Sequence, residues 1–323
     1  MIPLSLSMVL AAVLAAPALV AAATDDARQW LEDMSRASRS LNYKGVFVYQ
    51  HDDRLEAMRI VHAMDDEGER ERMFSLTGPK REVLRDNEVV TCILGDSRSV
   101  IVNRSQPRTP FPASFPRELQ DLEKYYEFKV MGEDRVAGLG CRRVEVQPRD
   151  RYRYGRRLCV HDDSRLLLRS ELTGSDGRAI ERIMFTSVEF PPQIESRELL
   201  PQLDSADFSW KRESDQPQAA VGQSRSPRWE VTDVPAGFML TDHNWHHLPA
   251  HQAGVEHWVY SDGLASVSVY IEKSPQPGDS YSGTSHRGAL NAFGTMVDGY
   301  YVTVVGEVPL ETVERIGRSV RIR

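Results

Sequence analysis

Asp262-Gly263, set between two runs of alternating polarity, restricts the fold of this chain more than any other stretch. Val255 to Glu272 reads Val-Glu-His-Trp-Val-Tyr-Ser-Asp-Gly-Leu-Ala-Ser-Val-Ser-Val-Tyr-Ile-Glu. A type I′ turn needs positive φ at both central residues, which Asp-Gly supplies at little steric cost. A turn centred there pairs Tyr260 with Ala265, Trp258 with Val267 and Glu256 with Val269. Trp258, Tyr260, Ala265, Val267, Val269 and Ile271 then share one face. His257, Ser266 and Ser268 share the other, with Val259 and Tyr270 as partial exceptions. This is a hairpin that buries one side and shows water a polar one, and no nucleophile in it stands beside a base.

The chain has 323 residues, which suggests two domains. Its net charge of −7 is spread along the sequence, which argues against a nucleic-acid partner or a general anionic-membrane footprint. Residues 1–23 stand apart: uncharged, apolar from Val9 to Val20, and ending Ala21-Ala22-Ala23. That pattern predicts an export signal with cleavage after the small residues, although no basic residue precedes the apolar run. A membrane anchor is the alternative, against which Pro17 and the weak hydrophobicity of alanine count. Export places Cys92, Cys141 and Cys159 in an oxidising compartment.

Thr24 is placed to cap a helix carrying Ala27, Trp30, Leu31, Met34 and Leu41 on one stripe. The period then changes to two. Strands are predicted over 43–51, 54–64, 70–76, 81–86, 88–94 and 99–103, separated by Asp, Gly, Pro and Asn turns. Such regularity indicates an antiparallel meander rather than βαβ units. Ser105 to Pro116 carries four prolines with Phe111 and Phe115, and reads as a lid over an apolar opening or as a loop pinned by buried rings. Leu139 to Val160 is a second hairpin, turning near Arg149-Asp150-Arg151, with Val144, Val146, Tyr154 and Leu158 on one face. In its symmetric register Cys141 lies opposite Cys159, close enough for a disulfide; a shift of two residues makes them diagonal, and free thiols stay open. Strands continue to Phe190, and Gln202 to Arg228 has the polar composition of a linker. The expected domains are therefore 24–201 and 229–323, joined by 202–228. In the second, Asp298-Gly299 marks another turn, and Pro309 opens a helix bearing Leu310, Val313 and Ile316.

The motifs of nucleophile elbows, zinc proteases, phosphate loops and dinucleotide sites are absent, so no catalytic residue, metal ligand or cofactor is assigned. His243, His246, His247, His251 and His257 match no zinc spacing and read as solvated loop residues, with a pH-sensing role left open. Arg149 to Arg157 (Arg-Asp-Arg-Tyr-Arg-Tyr-Gly-Arg-Arg) is the strongest basic candidate for an acidic partner or a lipid headgroup, through Arg149, Arg151, Arg153 and Arg156.

Several stretches carry a resemblance. Pro148-Arg-Asp-Arg-Tyr-Arg-Tyr-Gly-Arg-Arg-Leu158, His257 to Ile271, Val302-Thr-Val-Val-Gly-Glu-Val-Pro309 and Tyr43-Lys-Gly-Val-Phe-Val-Tyr49 resemble the MucB/RseB family. The resemblance implies an α+β fold: a LolA-like antiparallel β half-barrel with covering helices, then a smaller α+β domain. It implies a periplasmic regulator that is not an enzyme. Such a protein binds the periplasmic region of a transmembrane anti-sigma factor, shields it from regulated proteolysis, and is released by lipid or lipopolysaccharide. The histidine-rich loop and the Cys141/Cys159 pair are not part of that resemblance. Val46, Val48, Ile60, Phe74, Val144, Val146 and Tyr154 are expected to border the lipid cavity, filled core being the alternative for each. A periplasmic lipid or lipoprotein carrier would use the same cavity, and an envelope hydrolase would need a reactive cluster the sequence does not display. Homo-oligomerisation is left open.

Overall fold

A computed structural model describes residues 17–104, 115, 119–212, 228–246, 254–273 and 282–323, with side chains from residue 26. The first domain begins with α1 (Pro17–Ser40) and a meander of β1 (Tyr43–His51), β2 (Arg54–Asp65), β3 (Gly68–Ser75), β4 (Arg81–Asp86), β5 (Val89–Leu94) and β6 (Ser99–Arg104). A second run follows: β7 (Tyr126–Val136), β8 (Leu139–Pro148), β9 (Gly155–His161), β10 (Leu167–Thr173), β11 (Ala179–Glu189) and β12 (Ser209–Arg212). These make one twelve-stranded sheet in the order β12-β6-β5-β4-β3-β2-β1-β11-β10-β9-β8-β7. β1 joins the two meanders, pairing with β2 on one edge and β11 on the other.

The register defines two faces. Gly45, Ile60, Met73, Val83, Cys92 and Ile101 are successive partners across β1 to β6. Val144, Leu158, Ser170, Ile183 and Tyr49 continue that face across the other half. Helix α1 covers part of it, burying Ala27, Leu31 and Met34 against Phe128, Val144, Val146 and Leu158. On the far face Val61 and Ala63 are covered by Leu199 and Ile194 from the chain after β11.

Two boundaries differ from the sequence reading. Helix α1 runs through Thr24 instead of starting there, because the alanines at 21–23 are strong helix formers. The expected linker contributes β12, which adds to β6 in parallel, with Trp210 beside Val100; residues 213–227 lie outside those described. No helix among the described residues is long and apolar enough to cross a membrane.

The second domain contains β13 (Trp229–Val231), β14 (Met239–His246), β15 (Val255–Ser261), β16 (Ser266–Lys273), β17 (Gly283–Arg287), β18 (Leu290–Val297), β19 (Tyr300–Gly306), α2 (Leu310–Arg318) and β20 (Val320–Ile322). Its six-stranded sheet runs β14-β15-β16-β19-β18-β17, and β13 pairs with β20. Trp258, Tyr260, Val267, Val269 and Ile271 form its core with Val313 and Ile316 of α2. The faces of the β15–β16 hairpin are those the alternation predicts, but its register is displaced by two residues. Tyr260 pairs with Val267, Trp258 with Val269 and Glu256 with Ile271. Asp262 is not among the residues of positive φ, and its backbone N–H donates to Ala265 O, so 262–265 form a wider loop. Asp298-Gly299 does make the expected two-residue turn, with φ of 47° and 79°.

Candidate functional site

The residues singled out in the sequence fall on the faces of the first sheet and at the junction between the domains. The seven residues expected to line one cavity divide among three places. Val144, Val146 and Ile60 lie on the α1 face at 0% exposure, within filled core. Val46, Val48 and Phe74 lie on the opposite face, as their pairing with Arg59, Ala57 and Arg59 requires. Tyr154 lies in the loop between β8 and β9 and accepts a hydrogen bond from Asn291 Nδ2 at 2.9 Å. Period-two reading had joined both faces of β1 because both are apolar. The α1-face residues of β3 to β6 are different: Met73, Val83, Cys92 and Ile101 form an apolar strip that is only half-buried. Burial raises the Cys92 thiol pKa, which leaves it protonated and apolar in character.

A charged cluster lies beside that strip. The His62 ring stacks on Tyr43 with centroids 4.9 Å apart, and its Nδ1 donates to Leu41 O at 2.7 Å. Glu69 is 3.5 Å from His62 Nε2. Burial holds the Glu71 carboxyl above its ordinary range, partly offset by His62 and Arg85. Among the described residues no group of histidines, cysteines and acids could hold a metal ion.

The basic hairpin does not present its four arginines to solvent as expected. The β8–β9 connection spans 149–154, because β8 ends at Pro148 and β9 begins at Gly155. That loop meets the second domain. Arg149 is exposed and donates to Glu123 O, and Arg151 is exposed beside Glu311 at 3.3 Å. Arg153 is fully buried: its Nε donates to Asp262 Oδ2 at 2.6 Å, and its terminal nitrogens reach Asp150 and Ala236 O. Its guanidinium packs over Phe238 at 4.7 Å and Tyr125 at 4.9 Å. Desolvation lowers the Arg156 pKa, opposed by Glu307, Tyr126, Glu181 and Asp262. Arg153 therefore belongs to an internal junction and is corrected from the list of surface contacts, whereas Arg156 is only half-buried. Interleaved cations and aromatics were the available signal, and an interdomain clamp uses the same residues as an external one.

More contacts complete the junction. Tyr126 Oη donates to Asp262 Oδ2 at 2.9 Å; burial and then Asp262 push its pKa up, which keeps the donor protonated. Thr312 Oγ1 donates to Tyr152 O at 2.8 Å. At the other end Gly288 N donates to Asp52 and Ala289 N to Glu181 Oε1 at 2.9 Å. Burial and Glu181 together raise the Glu307 pKa here, against Arg156. Gly237 has φ +92°, and a Cβ there would lie 2.6 Å from Tyr125, so glycine permits the close approach.

Cys141 and Cys159 form a disulfide with Cα atoms 5.5 Å apart. It spans the diagonal, since Cys141 pairs with His161 and Cys159 with Arg143. Histidines 247 and 251 and the His246 side chain lie outside the described residues. His243 and His257 belong to strands instead of a solvated loop: His243 Nε2 donates to the buried Glu256 at 2.8 Å, and His257 stacks on Tyr270.

Comparison with known proteins follows this geometry. The model of the MucB/RseB N-terminal domain matches residues 26–203, and that of the MucB/RseB C-terminal domain matches 223–321. The sigma factor AlgU regulatory protein MucB of Pseudomonas aeruginosa is 32% identical over 98% of this chain and 96% of its own. The sigma-E factor regulatory protein RseB of Escherichia coli K12 is 26% identical over 93% and 92%. The structure of the Pseudomonas aeruginosa MucA/MucB complex superposes with a TM-score of 0.73 at 29% identity, covering 92% of this chain and 99% of that one. A structure of MucB superposes at 0.64 with 28% identity, covering 93% and 98%.

Proposed function

The chain belongs to the MucB/RseB family, and from that membership we propose that it is a sigma-factor regulator acting on a membrane-bound anti-sigma factor. It binds the periplasmic segment of that protein and keeps it from regulated proteolysis. The observation that carries this reading is the likeness over nearly the whole chain to MucB, solved in complex with MucA. The chain works in the periplasm and by binding, with no bond-making step. Export accords with the composition of residues 1–23, and the first domain, extended by β12 at Ser209–Arg212, acts together with the second at 229–323.

Release by lipid is the second part of the reading. Its support is the half-buried apolar strip of Met73, Val83, Cys92 and Ile101 beside the core residue Ile60. An acyl chain laid along it would remove that surface from water, at roughly 25 cal/mol per Å². Arg149 and Arg151, both exposed, and the half-buried Arg156 are the remaining basic contacts for an acidic partner or headgroup.

The partner reading is tested by incubating the periplasmic segment of the cognate anti-sigma factor with its site-1 protease, with and without the purified chain. Protection that disappears when residues 229–323 are removed supports it; equal cleavage with and without the full chain refutes it. Lipid binding is tested by extraction and mass spectrometry and by titration with a fluorescent fatty acid. Absence of both copurified lipid and titratable binding overturns that part alone.

A further inference from the structure

The tip of the β15–β16 hairpin reaches out of its own domain. Leu264 packs against the buried cluster that α1 shares with β7 to β10. Two residues earlier, Asp262 divides its carboxylate between the domains. Oδ1 accepts from Leu264 N at 2.9 Å and Ala265 N at 2.7 Å, which shapes the tip. Oδ2 accepts from Arg153 Nε at 2.6 Å and Tyr126 Oη at 2.9 Å, which belong to the first domain. The Arg153 and Asp262 side chains are both at 0% exposure. Tyr126 is itself a member of that cluster and the first residue of β7.

We propose that this tip is a latch coupling the core beneath α1 to the placement of the second domain. The lipid arm of the proposal rests on the acyl-chain reading above. The physical basis is that one side chain serves both sides: the core fixes Tyr126, and Tyr126 fixes Asp262. A change that shifts the start of β7 removes a donor from Oδ2 and the floor beneath Leu264 together. A partial separation leaves the buried Asp262 carboxylate without a counter-ion and Arg153 with Asp150 alone, so the junction has two states, seated or solvated. When it opens, the contacts of Gly288 with Asp52 and of Ala289 with Glu181 remain as a pivot. An acyl chain that extends from the β3–β6 strip to beneath α1 and parts it from β7 thereby favours the open state by its differential affinity for it.

The test uses the full chain and hydrogen exchange at the Leu264 and Ala265 amides, with small-angle scattering for domain placement. Tyr126→Phe keeps the ring in the core and removes the donor; Leu264→Ser removes the plug and keeps the ion pair. Both are expected to speed tip exchange at least tenfold and to broaden the scattering distance distribution, while exchange at Val144 and Leu158 is unchanged. Tip exchange and scattering that stay as in the wild type in both variants overturn the latch. A fluorescent C16 fatty acid, at a concentration where its emission shows saturation, is expected to speed tip exchange in the wild type and to add little in Leu264→Ser. Saturation with the tip fully protected overturns the coupling to the core. Absence of fatty-acid binding counts against the lipid reading and the lipid arm, and the latch then stands or falls on the two variants.

Discussion

Glu82 accepts from Arg72 at 3.2 Å and from the backbone of Gln202 and Leu203 at 3.0 Å each, while Arg72 donates to Glu198 O. Both side chains are closed to water, at 2% and 4% exposure. Glu82→Ala leaves a buried guanidinium and two amides without an acceptor, so a loss of roughly 3–5 kcal/mol is expected in urea unfolding. A loss below about 1 kcal/mol, the range of exposed pairs, would mean that water reaches the pair. Glu71 has the opposite sign. Its folded pKa is raised by burial, so its contribution to stability is complete below the ordinary carboxylate range and is lost as pH rises through the folded value. Glu71→Gln should therefore raise the melting temperature at pH 8, with the gain fading in acid; a gain that grows in acid would show that His62 and Arg85 outweigh burial. Neither residue was legible in the sequence as part of a buried network. The charges on Arg70, Glu71 and Arg72 look like solvated positions, yet the segment after β11 covers Arg72 on one face and Glu71 is buried opposite His62 on the other.

Asp262-Gly263 and Asp298-Gly299 are the same dipeptide in two different turns. Only the second has the two positive φ values of a tight hairpin. The first gives its carboxylate to Arg153 and Tyr126, and local propensity yields to that tertiary contact. Strand existence and facing were legible because alternation reports which side is buried. Register was not, since a slip of two residues leaves every face unchanged. The same slip put Cys141 beside His161, and the disulfide forms on the diagonal instead. At the other end of the second domain, α2 rests on β18 and β19 through Gly317. A Cβ there would lie 2.4 Å from Phe293 Cδ1 and 3.2 Å from Val304 Cγ2. Gly317→Ala is expected to cost about 1–3 kcal/mol by overpacking, despite alanine's better helix propensity. A stabilised variant in thermal unfolding would show that α2 can lift without penalty.

At the scale of the molecule, the Cys141–Cys159 bridge closes a loop with a sequence separation of 18, which predicts a stabilisation of about 3 kcal/mol over the reduced chain. Reduction should lower the stability of the first domain and leave the second unchanged when the domains are followed separately by amide hydrogen exchange. A uniform shift of both would mean that the junction makes them unfold as one unit. The antiparallel meander was legible from turn spacing, whereas the α+β class rested on the family resemblance. The division between filled core and half-buried strip was not legible, because both use the same residue types, and only coverage by α1 separates Val144 from Val83.

β1 lies between the two meanders, with one edge on β2 and the other on β11. The first edge closes within a short hairpin, whereas the second waits until residues 179–189 have been made. Throughout that interval a strand of Val, Phe and Tyr offers unpaired amides to any neighbouring chain. The order in which this sheet is threaded thus leaves the inner edge of β1 open until β11 exists to close it.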